Sequence, residues 1–441
     1  MRSLARGGTK VALLLCALSA LATPGSAAAG EPGGGSVPST VDCTVAGGEA
    51  NVNLDCPDQM FPVGEPHVAV DPRDPRHIVA TAMNDAECCI QFSTSFDAGK
   101  TWTTGSMSSQ APPAGMMATA ADTSVAFDHR HRTVVHASLS ALVNESGEAG
   151  DFDVVANVSE DGGQTWGAPV LIKRGEGFGD PQEGNDKPWI TSDTNPSSRF
   201  YGRLYVTWDE PVGTPASFAK TAEPGPVLES HSDDGGRTWS KPQVISGASD
   251  RYCTYTGLGS RRGRCDRNTF SFPAVAPDGT VYVAFANLQN KRAWERGERF
   301  EDQYLVVRSE NGGRSWKPPR HVVNMEDGTR DYPTNSSAAQ VLSGFQFAVT
   351  AFGNLAADPD SGRLHLVFSD NRAGRTDSPN PVTRTDVFVV SSRDGKSWSR
   401  ARRISRRGGT SGCPSPTSTL APAALGSYTS IRARKGATSM T

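Results

Sequence analysis

Ser159-Glu-Asp-Gly-Gly-Gln-Thr-Trp166 decides the fold, because the chain writes this phrase five times. The other copies are Ser95-Phe-Asp-Ala-Gly-Lys-Thr-Trp102, Ser232-Asp-Asp-Gly-Gly-Arg-Thr-Trp239, Ser309-Glu-Asn-Gly-Gly-Arg-Ser-Trp316 and the shorter Ser392-Arg-Asp-Gly-Lys-Ser-Trp398. Each part has a physical job. The short Ser and Asp side chains bond backbone N–H groups a few residues on and close a turn. Glycine takes the positive φ that the turn demands. Tryptophan anchors the returning strand by burying a large apolar face. The tryptophans recur 64, 73, 77 and 82 residues apart, which marks an array of supersecondary units.

Ahead of each phrase lies an alternating strand, a turn and a second alternating strand. In order these are His67–Asp71 with His77–Thr81, Thr123–Asp128 with Thr133–Ala137, and Pro188–Thr191 with Arg203–Trp208. Phe272–Val275 with Val281–Phe285 and Asn354–Ala357 with Arg363–Phe368 follow. Period-2 alternation of β-branched and aromatic residues between turns predicts strands. Each unit therefore reads as strands A and B, a longer B–C loop, strand C, the tryptophan turn and strand D.

The phrase resembles the Asp-box of the sialidase-like β-propellers, and the resemblance covers roughly residues 60–406. It implies an all-β propeller of sialidase type, in a family whose pattern has six blades. Five blades are legible here. After Arg407 comes Gly408-Gly-Thr-Ser-Gly-Cys-Pro-Ser-Pro, with no further alternation. Either residues 43–65 supply part of the closing blade, or the chain leaves the pattern near residue 410 by truncation or a shift of frame. The second reading is preferred. As a guide to chemistry the Asp-box is nearly silent, since propellers doing unrelated work carry it.

Residues 1–29 have the three parts of a secretory signal: Arg2, Arg6 and Lys10, an apolar run over 11–22, and Ala27-Ala-Ala29. Export is expected. Residues 30–42 form a Gly/Pro/Ser-rich linker, residues 43–407 the propeller, and residues 408–441 a basic low-complexity tail, disordered by composition. From Gly395 onward there are nine Lys or Arg and no acid, so a formal charge of +9 there stands against −12 in the rest. A solvated tail is preferred to a polyanion-binding arm. In an oxidising compartment the close pairs Cys43/Cys56 and Cys253/Cys265 are expected to staple local loops. No cofactor is called for, and no cysteine pair has zinc-site spacing. His129 and His131 fall in an A–B turn and are expected to be solvated.

Topology narrows the search for a site. In an antiparallel four-stranded blade, the Asp-box (a C–D turn) shares a rim with the A–B turn. The long B–C and D–A loops lie on the other rim, where function is expected. Candidates thus fall just before strand A or just after strand B. They are Glu65, His67 and Asp85 from blade 1, Asp122 from blade 2, and Asp186, Lys187, Asp209 and Glu210 from blade 3. Blade 4 adds Arg267, and blade 5 adds Asp370 and Arg372. Glycoside hydrolysis needs two carboxyl groups, one acid and one base or nucleophile, and Asp85, Asp186 and Glu210 are the catalytic candidates. The others are ligand-binding candidates. The alternatives are turns, ion pairs with Lys187 and Arg372, or a calcium site.

Sialidases grip a sugar carboxylate with three arginines and use a tyrosine nucleophile primed by a glutamate. Their first arginine sits in a Phe/Tyr-Arg-Ile-Pro motif ahead of blade 1, where this chain has Val63-Gly-Glu-Pro-His67. Arg267, Arg330 and Arg372 match no motif of that family, and Tyr428 lies in the tail. The resemblance therefore carries the fold and not the sialic-acid chemistry. The expected function is that of a glycoside hydrolase acting on extracellular glycans, of exo-sialidase type. The alternative is a non-catalytic glycan- or protein-binding propeller. The expected partner is a glycan or cell-surface ligand, with no nucleic acid, no membrane insertion and a monomeric state.

Overall fold

In the computed structural model the described residues are 39–40, 54, 63–84, 89–107, 114–146, 150, 152–175, 184–211, 225–256, 260–296, 299–327, 341, 353–374 and 384–405. They form five antiparallel sheets. The first holds β2 (Val63–Val70), β3 (Ile78–Asn84), β4 (Cys89–Ser95) and β5 (Thr103–Met107), with β1 (Ser39–Thr40) on the outer side of β5. The second holds β6 (Met117–Asp128), β7 (Thr133–Val143), β8 (Asp153–Ser159) and β9 (Val170–Lys173). The third holds β10 (Asp186–Ser192), β11 (Leu204–Asp209), β12 (Val227–Ser232) and β13 (Gln243–Val244). The fourth holds β14 (Asn268–Val275), β15 (Val281–Asn287), β16 (Asp302–Ser309) and β17 (Arg320–Met325), with a short helix α1 (Lys291–Arg296) between β15 and β16. The fifth holds β18 (Gly353–Ala357), β19 (Leu364–Asp370), β20 (Asp386–Ser392) and β21 (Arg402–Arg403).

Apart from β1, the strands of every sheet pair in chain order, and β2, β6, β10, β14 and β18 lie each beside the next. That is a propeller. The first strands β2, β6, β10, β14 and β18 line the axis, and the apolar cores lie between successive blades. Val79, Phe92 and Met107 of blade 1 meet Val125, Phe127 and Trp166 of blade 2. Leu139 and Val154 of blade 2 meet Leu204 and Trp208 of blade 3. Tyr205 and Val227 meet Val283, Phe285 and Leu305, and Phe272, Ala284 and Tyr304 meet Leu366 and Phe368. Each buried side chain of this size contributes about 1.5–3 kcal/mol, so a blade is stable only against its neighbours. Residues 406–441 lie outside the described residues, as do most of residues 1–62.

The Asp-boxes perform as their chemistry demands. In the second, Ser159 Oγ donates to Asp161 Oδ1 at 2.8 Å and accepts Gly163 N at 2.7 Å. Asp161 also accepts Gln164 N and Thr165 N at 3.0 and 2.9 Å. Gly163 lies at φ +93°, and a Cβ there would stand 2.8 Å from Val79 Cγ2, so the box must also be bare to seat on the preceding blade. Its carbonyl accepts Thr94 Oγ1 of that blade at 2.7 Å. The expected staple Cys253–Cys265 is formed. Cys43, Cys56, Cys88 and Cys413 lie outside the described residues. Among the described residues no helix is long and apolar enough to cross a membrane.

Candidate functional site

Register separates the two rims. In blade 3, Asp186 faces Asp209 and Asp209 faces Val227 at one end of the strands. At the other end Ser192 faces Leu204 and Leu204 faces Ser232, where the Asp-box begins. The candidate acids and the tryptophan turns are therefore on opposite rims, as the topology argument requires.

At the acid end the inner strands lose register. The shift falls between Gly64 and His67 in β2, Ala121 and Thr123 in β6, Asp186 and Trp189 in β10, and Thr269 and Ser271 in β14. Inside each shift one non-glycine residue takes the left-handed conformation: Glu65 at φ 50°, Asp122 at 48°, Lys187 at 49° and Phe270 at 55°. Such a residue costs roughly 1–3 kcal/mol, and a bulge re-aims the side chain it carries. Four equivalent bulges thus fall on consecutive blades at this rim.

Three of them meet. Lys187 Nζ lies 2.5 Å from Glu65 Oε1 and also donates to Asp122 Oδ1, while Lys187 N donates to Asp122 Oδ2 at 3.2 Å. The fourth joins through its backbone, Phe270 N donating to Asp209 Oδ1 at 3.1 Å. Asp122 and Asp209 are buried, whereas Glu65 keeps 42% and Lys187 21% of its side chain exposed. The cluster opens to solvent through the Glu65–Lys187 pair.

Packing four carboxyl groups around one ammonium sets their protonation. Glu65 is raised to about 7, by burial first and then by its hydrogen bond to Asp122 and that residue's charge, with Lys187 pulling the other way. Asp186 is raised well above the carboxylate range, by burial and then by the charges of Asp122 and Asp209. Asp209 is pushed up to about 8, chiefly by burial, with the Phe270 N–H opposing. Burial also works against ionised Asp122, but the Lys187 charge and the hydrogen bonds from Glu65, Lys187 and Asp186 outweigh it and hold Asp122 low. Lys187 is held charged by Asp122, Glu65 and Asp186 despite its burial. Near neutral pH the cluster holds an ionised Asp122 paired with charged Lys187, beside protonated Asp186 and Asp209 and a Glu65 that is about half protonated. Environments that separate neighbouring carboxyl groups in this way assign acid and base roles.

One residue pair further along the inner strands, three aromatic rings pack together. His67, Trp189 and Phe272 each lie two residues past a bulge. The Trp189 ring meets His67 edge-on at 4.8 Å and Phe272 at 5.1 Å. His67 Nδ1 accepts Val125 N at 3.2 Å, and burial pushes its pKa down to about 4, so the ring is neutral. These rings floor the acid cluster. Trp208 is fully buried between blades.

The remaining candidates are placed as follows. Glu210 points away from Asp209 and pairs with Lys173 of blade 2 at 3.0 Å, so it does not join Asp186. Arg372 holds Asp370 through Nε at 2.7 Å, and its guanidinium lies 4.5 Å from the Phe388 ring centre and 5.1 Å from that of Phe368. Its fork is thus already filled by a carboxylate of its own blade. Arg267 is buried in blade 4, with Nη1 donating to the Asp266 carbonyl at 3.0 Å. Asp85 and Arg330 lie outside the described residues. His129 and His131 are on the Asp-box rim, beside Asp71 at 3.0 Å and Asp128 at 2.6 Å. Among the described residues no group of three or more His, Cys, Asp or Glu is arranged to hold a metal ion. Sequence reasoning did not single out Phe270, whose only signal is its equivalence to Glu65, Asp122 and Lys187 along the inner strand.

No family model matches the chain, and no curated protein matches it. Solved structures do. The Hadza microbial sialidase Hz136 is 16% identical, over 79% of this chain and 59% of its own, with a TM-score of 0.44. The NanB sialidase from Streptococcus pneumoniae is 11% identical over 80% of this chain and 62% of its own, at a TM-score of 0.46. The intramolecular trans-sialidase from Ruminococcus gnavus is 12% identical over 80% of this chain and 86% of its own, at 0.43. The chain thus spans about three fifths of the first two. At such identities the likeness is one of fold, and no residue role carries across. By their own strand order and the packing of their inner strands, the described residues are built as a β-propeller of four-stranded blades.

Proposed function

We propose that the chain is an exported, monomeric, glycan-directed propeller, and that its channel-mouth carboxyl cluster hydrolyses a glycosidic bond. The observation that carries this reading is the pairing of Glu65, raised to titrate near neutral pH and open to solvent, with the ionised Asp122 on the same lysine. Glycoside hydrolysis needs one carboxyl group to give a proton while another supports the developing positive charge. Glu65 is suited to the first task and Asp122 to the second. The N-terminal basic and apolar segment with Ala27–Ala29 supports export. The mouth does not favour sialic acid: Arg372 is occupied by Asp370, and four carboxyl groups surround a single lysine. With Lys187 engaged by Asp122 and Glu65, the cluster leaves no cation for a sugar carboxylate, so a neutral sugar is the expected substrate.

A second reading, a binding propeller, is favoured by a different observation. Asp122, Asp209 and Asp370 each already accept a donor of their own chain. A panel of fluorogenic glycosides, including the sialic acid substrate, separates the two. Turnover of a neutral glycoside that is lost in E65Q supports hydrolysis. Absence of turnover on every sugar, with glycan binding retained, transfers the site to the second reading.

A further inference from the structure

The rim that carries the acid cluster bears a second charged feature, of opposite sign, on blade 4. Between Asp250 and Asp266 the connection from β13 to β14 carries Arg251, Arg261, Arg262 and Arg264, all exposed, against those two acids alone. We propose that the turn Arg261–Arg264 is a binding site for an anionic polysaccharide, one bearing carboxylate or sulfate groups along its chain. The proposal concerns binding and is independent of any reaction at the acid cluster.

The turn is built to hold its shape. Arg264 N donates to the Arg261 carbonyl at 3.0 Å and closes it. Gly263 N donates to the Cys253 carbonyl at 2.9 Å, and the Gly263 carbonyl accepts Ser249 N at 2.6 Å. The Cys253–Cys265 bond fastens the base of the loop, and Ala248 pairs with Arg264. Gly263 sits at φ +80°, where a Cβ would stand 2.4 Å from Asp250 Oδ1. Three guanidinium groups are thus carried on a fixed backbone, which removes part of the ordering cost of binding. Planar guanidinium forks match carboxylate and sulfate oxygens in pairs.

The neighbouring aromatic argues against a nucleic acid. Tyr252 lies beneath Arg251, 5.3 Å from its guanidinium, and is stacked with His321 at 5.8 Å. It is already engaged by its own chain rather than offered to a base, and single-stranded nucleic acid binding relies on such stacking.

The test uses the full secreted chain and heparin, polygalacturonate, dextran and single-stranded DNA as probes. Each is titrated at about 0.05 M and about 0.5 M salt, which differ several-fold in screening. Heparin or polygalacturonate is expected to bind at low salt and to be released at high salt, with dextran ignored. Each single Arg-to-Gln change at 261, 262 or 264 is expected to weaken binding about tenfold, the cost of one charge-assisted contact. R261Q/R262Q/R264Q is expected to weaken it about a hundredfold or more at an unchanged melting temperature. Equal binding by the triple variant overturns the proposal. So does binding of neither polyanion, binding of dextran as tightly as the polyanions, or binding of the DNA more tightly than either.

Discussion

Glu65 and Lys187 are 122 residues apart in the chain and 2.5 Å apart in space, oxygen to nitrogen, each on the bulge of its own inner strand. The pair joins blade 1 to blade 3 over Asp122 of blade 2. It is both a fastening between blades and the exposed edge of the candidate site.

Removing the cation from that junction is expected to be costly. K187M leaves Asp122 buried without its counter-ion, and breaking a buried ion pair from one side typically costs 3–5 kcal/mol. Because Lys187 keeps a fifth of its side chain in water, a loss of about 2–4 kcal/mol is expected in a denaturant melt. D122N/K187M should recover part of it. Equal stability of K187M and wild type would show that the ammonium does not organise the cluster.

The protonation pattern makes stability depend on pH. Glu65 and Asp209 have folded pKa values of about 7 and about 8, above those of the unfolded chain. The folded state therefore binds more protons, and stability falls as pH rises through those values. Half-buried His67 works in the opposite sense, but only below about pH 6.5, where the unfolded imidazole takes up its proton. Between about pH 6.5 and about pH 8 the melting temperature is expected to fall and then to level off, with D209N falling less steeply. A flat profile over that window in the wild type would contradict the assignment.

The two rims are expected to separate stability from function. Trp166 is 3% exposed between blades 1 and 2, so W166A should cost about 3–5 kcal/mol. D161A, which strips four hydrogen bonds from its Asp-box, should cost about 1–3 kcal/mol. At a temperature where both variants remain folded, ligand affinity at the acid rim should be unchanged, as titration against a bound glycan would show. A selective loss of affinity in D161A would place the ligand on the wrong rim.

The sequence shows the scaffold more clearly than the site, for a physical reason. An Asp-box is a local object whose Ser, Asp, Gly and Trp all act within eight residues, so Ser159–Trp166 is legible by itself. The rim assignment follows from the order of turns in an antiparallel blade, and Glu65, Asp122, Lys187 and Asp209 lie at the strand ends away from the Asp-boxes. The bulges were not legible. Glu65, Asp122 and Lys187 hold a positive φ that their residue types do not advertise, and the surrounding blades impose it. Nor could position alone tell that Glu210 turns outward to Lys173, or that Arg372 spends its fork on Asp370. Those outcomes depend on which face of a strand meets which neighbour.

The proton carried by Glu65 is the centre of the proposed reaction. The decisive measurement is kcat/KM of wild type and E65Q on the best neutral glycoside, across pH. Loss of a general acid is expected to lower the rate about 10²–10⁴-fold, with the wild-type profile falling above about pH 7 as Glu65 ionises. Undiminished turnover by E65Q, at every pH tested, would contradict it.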